Sequence, residues 1–504
     1  MTLAASRRGF LALTAATLAT PAIVRAAEAD VVTVAWPSDV PGWDPNQRFT
    51  PDAQSLFKAV FDQPLEQDTS LKLIPHLITQ WELSPDGMTM PVELRDDVQF
   101  HNGDKMTAED FKFTFFDRIR STPGLDIANS WRKVQDIEIQ SPTKAVMHFS
   151  SPAPTAPVWL AFLGSYVVPK GYVEQVGAPA FAQKPVGTGP YRLVEWEVNG
   201  RIVLERNDKY WGPKPAIRPT VQIIKDPSAR VAAVQSGQVD IAINLPVREA
   251  VRLQSEPRLA AELDPITRII LLQVRNDLGF EDANVRIAAH HAIDKAALSR
   301  AFYNNAAVPL SQLATPGTPG YMPDFTIKYD PELARQLLAK SGFGPEKPAK
   351  IGFATTNGQF PSDYDIARAI AQMWKRVGIE ADLQVIEYPK YFELNRGHKL
   401  PEATLYSFDN ATGDPEIFVG YMLNPKLPFS PWQDMVLGQK VIDLFNVADA
   451  NKRFAGWQAI DREAMEIGAK IPLLQSVQTV VRQKNLAMTK YANGWVLAQT
   501  MRWT

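Results

Sequence analysis

The chain has 504 residues, a formal net charge of −2 and no cysteine. The near-neutral charge argues against a nucleic-acid partner, because a phosphate-binding domain normally carries a clear basic excess. The lack of cysteine excludes disulfides and thiolate chemistry. One hydrophobic core stops growing at about 250–300 residues, so we expect at least two lobes.

The N-terminal residues 1–29 have the pattern of an export signal. Arg7 and Arg8 precede the mostly apolar run Phe10–Ala22, and Ala27-Glu28-Ala29 offers a small-residue cleavage site. The apolar run is shorter than the roughly 20 residues that span a bilayer, and no cysteine is present to carry a lipid anchor. The stretch Ser6–Leu11 is typical of a twin-arginine signal, with an ordinary export signal as the alternative. We therefore expect a periplasmic protein.

Short strands and turns are predicted directly after the signal. Val31–Trp36 alternates apolar and polar residues before Pro37, which predicts an edge strand. Trp81–Arg95 predicts two strands around the turn Ser84–Gly87. Thr107 is expected to be the N-cap of a helix.

Residues Pro185–Gly212 carry a strong hairpin signal. A Gly-rich turn, Gly187–Pro190, leads into a predicted strand at Tyr191–Glu197. The pair Asn199-Gly200 is typical of a hairpin loop in which both positions require a positive φ. Arg201–Arg206 is the predicted partner strand.

Helical patterns alternate with strand patterns in the rest of the chain. Helices are predicted at Ser228–Gly237, Val285–Tyr303, Pro331–Lys340 and Asp363–Val377. Strands are predicted at Val239–Ile243 and Glu380–Glu387. This alternation, mixed with hairpins, indicates an α/β or α+β protein.

The wording of the hairpin segment closely resembles a signature of extracellular solute-binding protein family 5. These are the large periplasmic binding proteins of peptide- and nickel-type ABC importers. Further segments resemble the family in the same order: Leu77–Phe116, Ser228–Asp240, Val285–Pro309, Ala334–Phe343 and Ile366–Leu383. The resemblance spans nearly the whole chain after the signal and implies a binding protein that catalyses nothing.

The resemblance also implies a fold and partners. The expected fold is α/β: a two-lobed, class II-like periplasmic binding protein with an extra mixed α/β domain in the first lobe. Lobe I would comprise residues 30–49, 185–268 and 477–504, the extra domain 50–184, and lobe II 269–476. Two strands would cross between the lobes, near Arg268 and Ser476, and hinge closure would bury the ligand. The implied partners are a small-molecule or peptide ligand and an inner-membrane ABC permease, and we expect a monomer without a cofactor.

The stretch around Asp409 is the principal candidate for ligand binding. Peptide-binding members of the family carry an aromatic residue, two intervening positions and an aspartate that pairs with the peptide α-ammonium, and Tyr406 and Asp409 keep this spacing. A desolvated carboxylate facing an ammonium forms a strong charge-assisted bond, and Phe408 and Asn410 would share its pocket. This chain departs from the pattern, since Tyr406 replaces the usual Trp and two additional residues precede Pro415. The alternative is a loop aspartate that binds its own backbone.

Phe49 and Asn357 are two further candidate ligand-binding residues. Phe49 follows Trp43-Asp44-Pro45, where the resemblance places the floor of the cleft. An aromatic cleft wall and an ordinary core residue both remain open for it. Asn357 precedes Gly358, and an Asn-Gly pair also forms turns without any ligand.

No metal site or catalytic motif is predicted. His290 and His291 are adjacent on a helix and point about 100° apart, so they cannot chelate one ion from that helix, and we expect structural roles for all six histidines. The sequence has no nucleophile elbow, phosphate loop or paired-histidine zinc helix. The alternative function is a periplasmic hydrolase that pairs Asp409 with Asp414 or Glu416, and a binder of unfolded segments is a third possibility.

Overall fold

The computed structural model of the protein describes residues 30–48, 53–427 and 430–504. The predicted export signal and Phe49 lie outside these described residues. The strands are β1 Val31–Trp36, β2 Leu65–Gln67, β3 Leu73–Pro75, β4 Ile78–Trp81, β5 Thr89–Leu94, β6 Val134–Ser141, β7 Lys144–Phe149, β8 Tyr191–Trp196, β9 Arg201–Arg206, β10 Arg218–Ile223, β11 Ile241–Ile243, β12 Leu259–Val274, β13 Ala349–Thr355, β14 Ile379–Val385, β15 Ala403–Phe408, β16 Lys470–Gln483, β17 Leu486–Ala487 and β18 Arg502–Trp503.

The α-helices are distributed along the whole described chain. They are α1 Gln54–Val60, α2 Ala108–Lys112, α3 Arg118–Ser121, α4 Ala156–Trp159, α5 Lys170–Val176, α6 Ala178–Phe181, α7 Pro227–Ser236, α8 Val247–Leu253, α9 Ala283–His291, α10 Lys295–Tyr303, α11 Pro331–Lys340, α12 Asp363–Lys375, α13 Tyr388–Arg396, α14 Tyr421–Leu423, α15 Met435–Leu444 and α16 Ala450–Glu466. Phe113–Asp117 and Glu416–Gly420 are π-helical, and Asp126–Asn129 and Ala498–Thr500 form 3₁₀ turns. Among these described helices, none is both long and apolar enough to cross a membrane.

The predicted α/β fold is confirmed by one large mixed sheet. Its ten strands follow the order β14-β13-β15-β12-β16-β11-β1-β10-β9-β8. The prediction of an edge strand at Val31–Trp36 is wrong, because β1 lies between β10 and β11 and pairs with both in parallel. Pro37 follows the last paired residue, so its missing N–H does not interrupt either ladder.

Strands β12 and β16 run side by side through the middle of the sheet. They pair antiparallel from Leu259 opposite Gln483 to Gln273 opposite Lys470, and the register shifts between Pro265 and Ile269. β12 also pairs with β15, and β16 also pairs with β11. The two halves of the sheet are therefore joined through these two strands. The residue boundaries of the lobes and of the extra domain stay a prediction.

The signature hairpin is confirmed as β8 and β9, but the predicted turn is wrong in part, because Asn199 has a positive φ of 58° and Gly200 does not. The glycine turn that precedes the hairpin packs against α1. The Gly189 N–H donates to the Val60 carbonyl at 3.0 Å. A Cβ atom on Gly189 would lie 2.6 Å from the carbonyl carbon of Val60 and 2.8 Å from the Phe61 nitrogen. Only a residue without a side chain allows the two backbones to approach this closely.

His101 fixes the same turn from the other side. Its Nε2 lies 3.0 Å from the Gly189 carbonyl, which can only accept, and its Nδ1 accepts the Gly187 N–H at 3.3 Å. This pattern requires a neutral ring protonated on Nε2. Burial lowers the pKa of His101 to about 4, which agrees with a neutral ring. The predicted structural role of this histidine thus has a physical basis.

We expect His101 to make stability depend on pH. Because its folded pKa lies below the unfolded value of about 6.5, the unfolded chain binds the additional proton between these values. The free energy of unfolding should rise between about pH 4 and pH 6.5, by no more than about 3 kcal/mol from this residue. Urea unfolding across this pH range should give a smaller rise for His101→Gln. The exposed His148, paired with Glu138, provides the control His148→Gln, and an equal slope in both variants would contradict the prediction.

The single helix predicted at Val285–Tyr303 is wrong, because the structure divides it into α9 and α10. The Asp294 side chain accepts the Ala297 N–H at 2.8 Å and so caps a new helix. The buried Lys295 that follows donates to the Leu310 carbonyl and lies 2.8 Å from His290 Nε2. The other predicted helices are confirmed, including the end of α7 at Gly237 with φ 80°.

A second sheet, β4-β5-β7-β6, belongs to the region predicted as the extra domain. Thr107 caps α2 as predicted. A buried ion pair connects the helical segment after it to the loop that follows β1. The Arg118 guanidinium donates to both carboxylate oxygens of Asp44 and to Asn46 Oδ1. The two charged side chains are 2% and 1% exposed, so each depends on the other for its charge partner.

Candidate functional site

The candidate stretch begins in β15, the strand that pairs with the connecting strand β12. Tyr406 and Phe408 lie opposite Leu271 and Ile269 in this ladder. Asp409 directly follows the strand, and its side chain is 9% exposed. The ladder therefore places Asp409 beside the point where β12 passes from one half of the sheet to the other.

Asp409 faces a cation on β12. Its carboxylate Oδ2 lies 3.8 Å from Arg268 Nη2, and the Arg268 side chain is 19% exposed. Both groups line a cavity of about 40 Å³. Other lining residues come from the end of β1, the segment after β11, strand β16 and the C-terminal segment: Trp36, Asn244, Gln478, Asn493 and Trp495. The cavity is thus built from several segments that are distant in sequence.

Tyr406 and Phe408 lie close to Asp409 in sequence but are not among the residues that line this cavity. The Tyr406 ring stacks on Tyr391 at 4.3 Å and 13°, and burial raises its pKa. Phe408 is partly buried and packs against two separate clusters of buried hydrophobic residues. Neither residue belongs to the cavity lining, so their direct ligand roles stay predictions.

Asn410 is buried with 1% exposure. Its carbonyl accepts the Gly413 N–H at 3.2 Å, while neither side-chain amide atom has a hydrogen-bond partner in the described structure. A buried amide without partners is costly, so both amide atoms can still accept or donate a hydrogen bond. Asn410 is not among the residues that line the junction cavity, so its ligand role stays a prediction.

Of the two remaining candidates, Asn357 is described, and it does not line this cavity. Phe49 lies outside the described residues. Asn357 is exposed in the loop after β13. The same loop does contact the candidate stretch through Gln359, whose side chain bonds the backbone N and O of Ser407 at 3.2 and 3.0 Å.

Sequence reasoning missed most of the cavity wall. Arg268 was identified only as a strand position, and Trp36 only as the last residue of a strand. Asn244, with φ 53°, could have been noticed as an asparagine directly after a predicted strand, because asparagine tolerates the left-handed region. Gln478 and Trp495 carry no local signal, since their placement depends on long-range pairing.

The carboxylates proposed for hydrolysis are engaged in structural contacts. Both oxygens of Asp414 accept from Arg453 at 2.9 Å, in a bidentate pair. One oxygen of Glu416 accepts the Thr155 hydroxyl at 2.7 Å. Within the described residues, no group of three or more His, Cys, Asp or Glu side chains could hold a metal ion.

The fold and the cavity at the junction define a two-lobed solute-binding protein. The same fold occurs in the periplasmic binding protein DppA from Helicobacter pylori, associated with an ABC transporter and solved with the peptide STSA. The two share a TM-score of 0.83 at 20% identity, over 95% of this chain and 99% of that one. NikA from Staphylococcus aureus, solved with Ni(L-His)2, shares a TM-score of 0.80 and 21% sequence identity with this chain. The match covers 94% of this chain and 99% of that one.

Residues 72–426 match the family described as bacterial extracellular solute-binding proteins, family 5 Middle, and the chain belongs to this family. The nickel-binding periplasmic protein of Escherichia coli is 30% identical over 67% of this chain and 65% of its own length. The dipeptide-binding protein of Escherichia coli is 26% identical over 76% of this chain and 77% of its own length. The chain is therefore a solute-binding protein of this family and not an enzyme.

Proposed function

We propose that this protein captures a peptide or a related small solute between its lobes in the periplasm and delivers it to an inner-membrane ABC permease. The observation that carries the proposal is the placement of Asp409 on the wall of the junction cavity, beside strand β12. Twin-arginine export, a monomeric state and the lobe boundaries given above belong to the same proposal.

The size of the junction cavity supports a hinge mechanism. Its volume of about 40 Å³ is far below the roughly 300–1,000 Å³ of typical small-molecule sites. A peptide could therefore enter only after the lobes separate around β12 and β16. The register shift between Pro265 and Ile269 offers a place where the ladder can bend with few hydrogen bonds to break.

Arg268 would give the cavity a second charged group that contacts the ligand. An α-ammonium approaching Asp409 replaces part of the existing contact with Arg268, and the released guanidinium then faces the ligand. Such a pair suits a zwitterion, because the carboxylate takes the ammonium and the guanidinium takes a carboxylate in charge-assisted bonds. A desolvated polar site of this kind discriminates strongly against ligands that lack the matching group.

We expect Asp409→Asn to lower the affinity for a dipeptide with a free amino group by about tenfold or more. The probe is Met-Leu, the dipeptide bound by the structural relative from Pseudoalteromonas, measured by calorimetry. N-acetyl-Met-Leu, which lacks the ammonium, should bind both forms equally weakly. The control is Asp365→Asn on α12, whose side chain is 60% exposed.

Thermal unfolding provides the second measurement. A ligand at 100 times its dissociation constant adds about 2.7 kcal/mol of stability, so a binding peptide should raise the melting temperature measurably. Nickel with histidine, the ligand of the NikA structure, is tested in parallel. The proposal fails if no peptide stabilises the wild-type protein, or if Asp409→Asn binds Met-Leu with unchanged affinity.

A further inference from the structure

A second and larger cavity lies apart from the junction cavity. Its volume is about 250 Å³. One side is formed by residues 129–134 and 153–159, near β6 and α4, and the other by residues 416–427 and 442–446. We call this space the aromatic chamber and define it by its lining residues Trp131, Lys133, Trp159, Glu416, Tyr421 and Phe445. It spans the predicted extra domain and the predicted second lobe.

Two buried polar atoms in the wall of the chamber have no partner among the described residues. Glu416 is 4% exposed, and its Oε2 makes no hydrogen bond, although its Oε1 accepts from Thr155. Trp131 is 2% exposed, and its Nε1–H also lacks an acceptor. Buried polar groups in native proteins normally find partners, so the open Glu416 oxygen indicates that the chamber receives a hydrogen-bond donor. The Trp131 N–H is itself a donor and would need an acceptor on the ligand.

The other charged groups near Glu416 have partners of their own, including Arg132, which also lines the chamber and whose Nε donates to the Asn129 carbonyl at 3.1 Å. The Lys133 ammonium donates to the Pro152 and Phe445 carbonyls at 2.6 and 2.8 Å and to Asn446 Oδ1 at 3.2 Å. These three bonds use all three of its donors. Asp414 and Arg453 engage each other in the bidentate pair described above. The open acceptor of Glu416 is therefore the group that would meet a cationic donor in the chamber.

The aromatic side chains that line the chamber also suit a cationic ligand. Trp159 and Tyr421 lie at 5.8 Å between ring centroids, and Tyr421 and Phe445 at 6.1 Å. Aromatic faces attract organic cations through the ring quadrupole, and a carboxylate adds a charge-assisted hydrogen bond. We propose that the aromatic chamber binds a small organic ammonium ion, with the ammonium on Glu416 Oε2 and the apolar body against these rings.

The chamber limits the size of its ligand. About 250 Å³ falls just below the range of drug-sized sites, which fits a compact amine and excludes a long peptide. The ammonium could belong to a free amine or to one group of the transported solute. The proposal does not depend on Asp409, so it can hold even if the proposed peptide function fails.

The ionisation of Glu416 gives the site a pH dependence. Burial and the neighbouring Asp414 raise the pKa of Glu416 to about 7, against the opposing effects of Thr155, Arg453 and Lys133. The carboxylate form, which an ammonium requires, therefore predominates above this value. Affinity for an ammonium should increase from about pH 6 to about pH 8, whereas a neutral ligand should show no such trend.

The test uses three probes of similar shape and different charge: phenethylammonium, 2-phenylethanol and 3-phenylpropionate. Calorimetry and thermal shift are measured on the full mature protein at about pH 8. We expect phenethylammonium to bind and the neutral and anionic probes to bind at least about tenfold more weakly. Equal binding of all three probes by the wild-type protein overturns the proposal without any variant.

Variants then locate the binding site. Glu416→Gln keeps an oxygen for the Thr155 hydroxyl and should fold, and we expect it to lose about tenfold or more in phenethylammonium affinity. Glu463→Gln, at an exposed pair with Lys440, is the matched control and should bind as wild type. Unchanged binding by Glu416→Gln overturns the proposal.

Competition between phenethylammonium and Met-Leu distinguishes a free amine from an amino group of the transported solute. If phenethylammonium and Met-Leu bind simultaneously, and Asp409→Asn leaves phenethylammonium binding intact, the chamber is a separate amine site. If Met-Leu displaces phenethylammonium in an Asp409-independent manner, the chamber receives an amino group of the solute itself. Both results require the loss in Glu416→Gln, and its absence contradicts both.

Discussion

Replacing Arg118 by methionine is expected to lower the free energy of unfolding by about 3–5 kcal/mol, since it leaves a buried carboxylate without its cation. Asp44 and Arg118 are both almost fully buried, and Arg118 also donates to Asn46 at 2.7 Å. Asn46 in turn donates to the Gly164 carbonyl at 2.7 Å. The loss should therefore loosen the contact between the loop after β1 and the region of the second sheet. Urea unfolding at pH 7 measures the change.

An exposed ion pair provides the matched control for this variant. Arg201 and Glu195 lie 2.8 Å apart with side chains 51% and 46% exposed, and Arg201→Met should cost less than about 1 kcal/mol. The double variant Arg118→Met, Asp44→Asn should recover part of the loss, because no charge remains buried. Similar losses for Arg118→Met and Arg201→Met would refute the role of burial.

Gly189→Ala is expected to destabilise the protein by about 3 kcal/mol, the upper range for overpacking. The added Cβ would stand 2.6 Å from the Val60 carbonyl carbon, and both partners are backbone that cannot rotate away. The turn must then move from α1, and the hydrogen bond of Gly189 to Val60 is strained with it. We expect a lower melting temperature and a lower urea midpoint.

Gly171, in helix α5, is the matched control. A Cβ on Gly171 would meet no heavy atom within 4 Å, and alanine is the better helix former by about 1 kcal/mol. Gly171→Ala should therefore be neutral or stabilising. If Gly189→Ala unfolds at the same urea concentration as wild type, the close approach of the turn to α1 has no energetic importance.

Local signals in the sequence predicted most secondary structure correctly. The β8–β9 hairpin, the Thr107 cap and the Gly237 helix end each depend on a few adjacent residues. The prediction did not include the break between α9 and α10, because Ala292 and Ile293 continue the helical apolar pattern, although Asp294 caps the following helix. The position of β1 was missed because neighbouring strands come from residues 218–223 and 241–243, which a local pattern cannot reveal.

The candidate site was only partly predictable for the same reason. The resemblance located Asp409, and the structure places it on the junction cavity. The cation opposite it, Arg268, and the walls Trp36 and Trp495 come from strands and termini far away in sequence. No spacing rule connects such residues, because their proximity results from the pairing of β12 with β15 and β16. Glu416 likewise gives no local sign of its buried, half-bonded state.

The pairing of β12 with β16 restricts how the molecule can move. Adjacent hydrogen-bonded strands cannot shift along each other without breaking their whole ladder, so sliding of one half past the other is disfavoured. We expect a rotation at the irregular registers of this ladder, between Pro265 and Ile269 and between Ile270 and Leu271. Under the proposed transport function, such a rotation would present the permease with one reproducible open shape, and the permease could distinguish loaded from empty protein by a single angle.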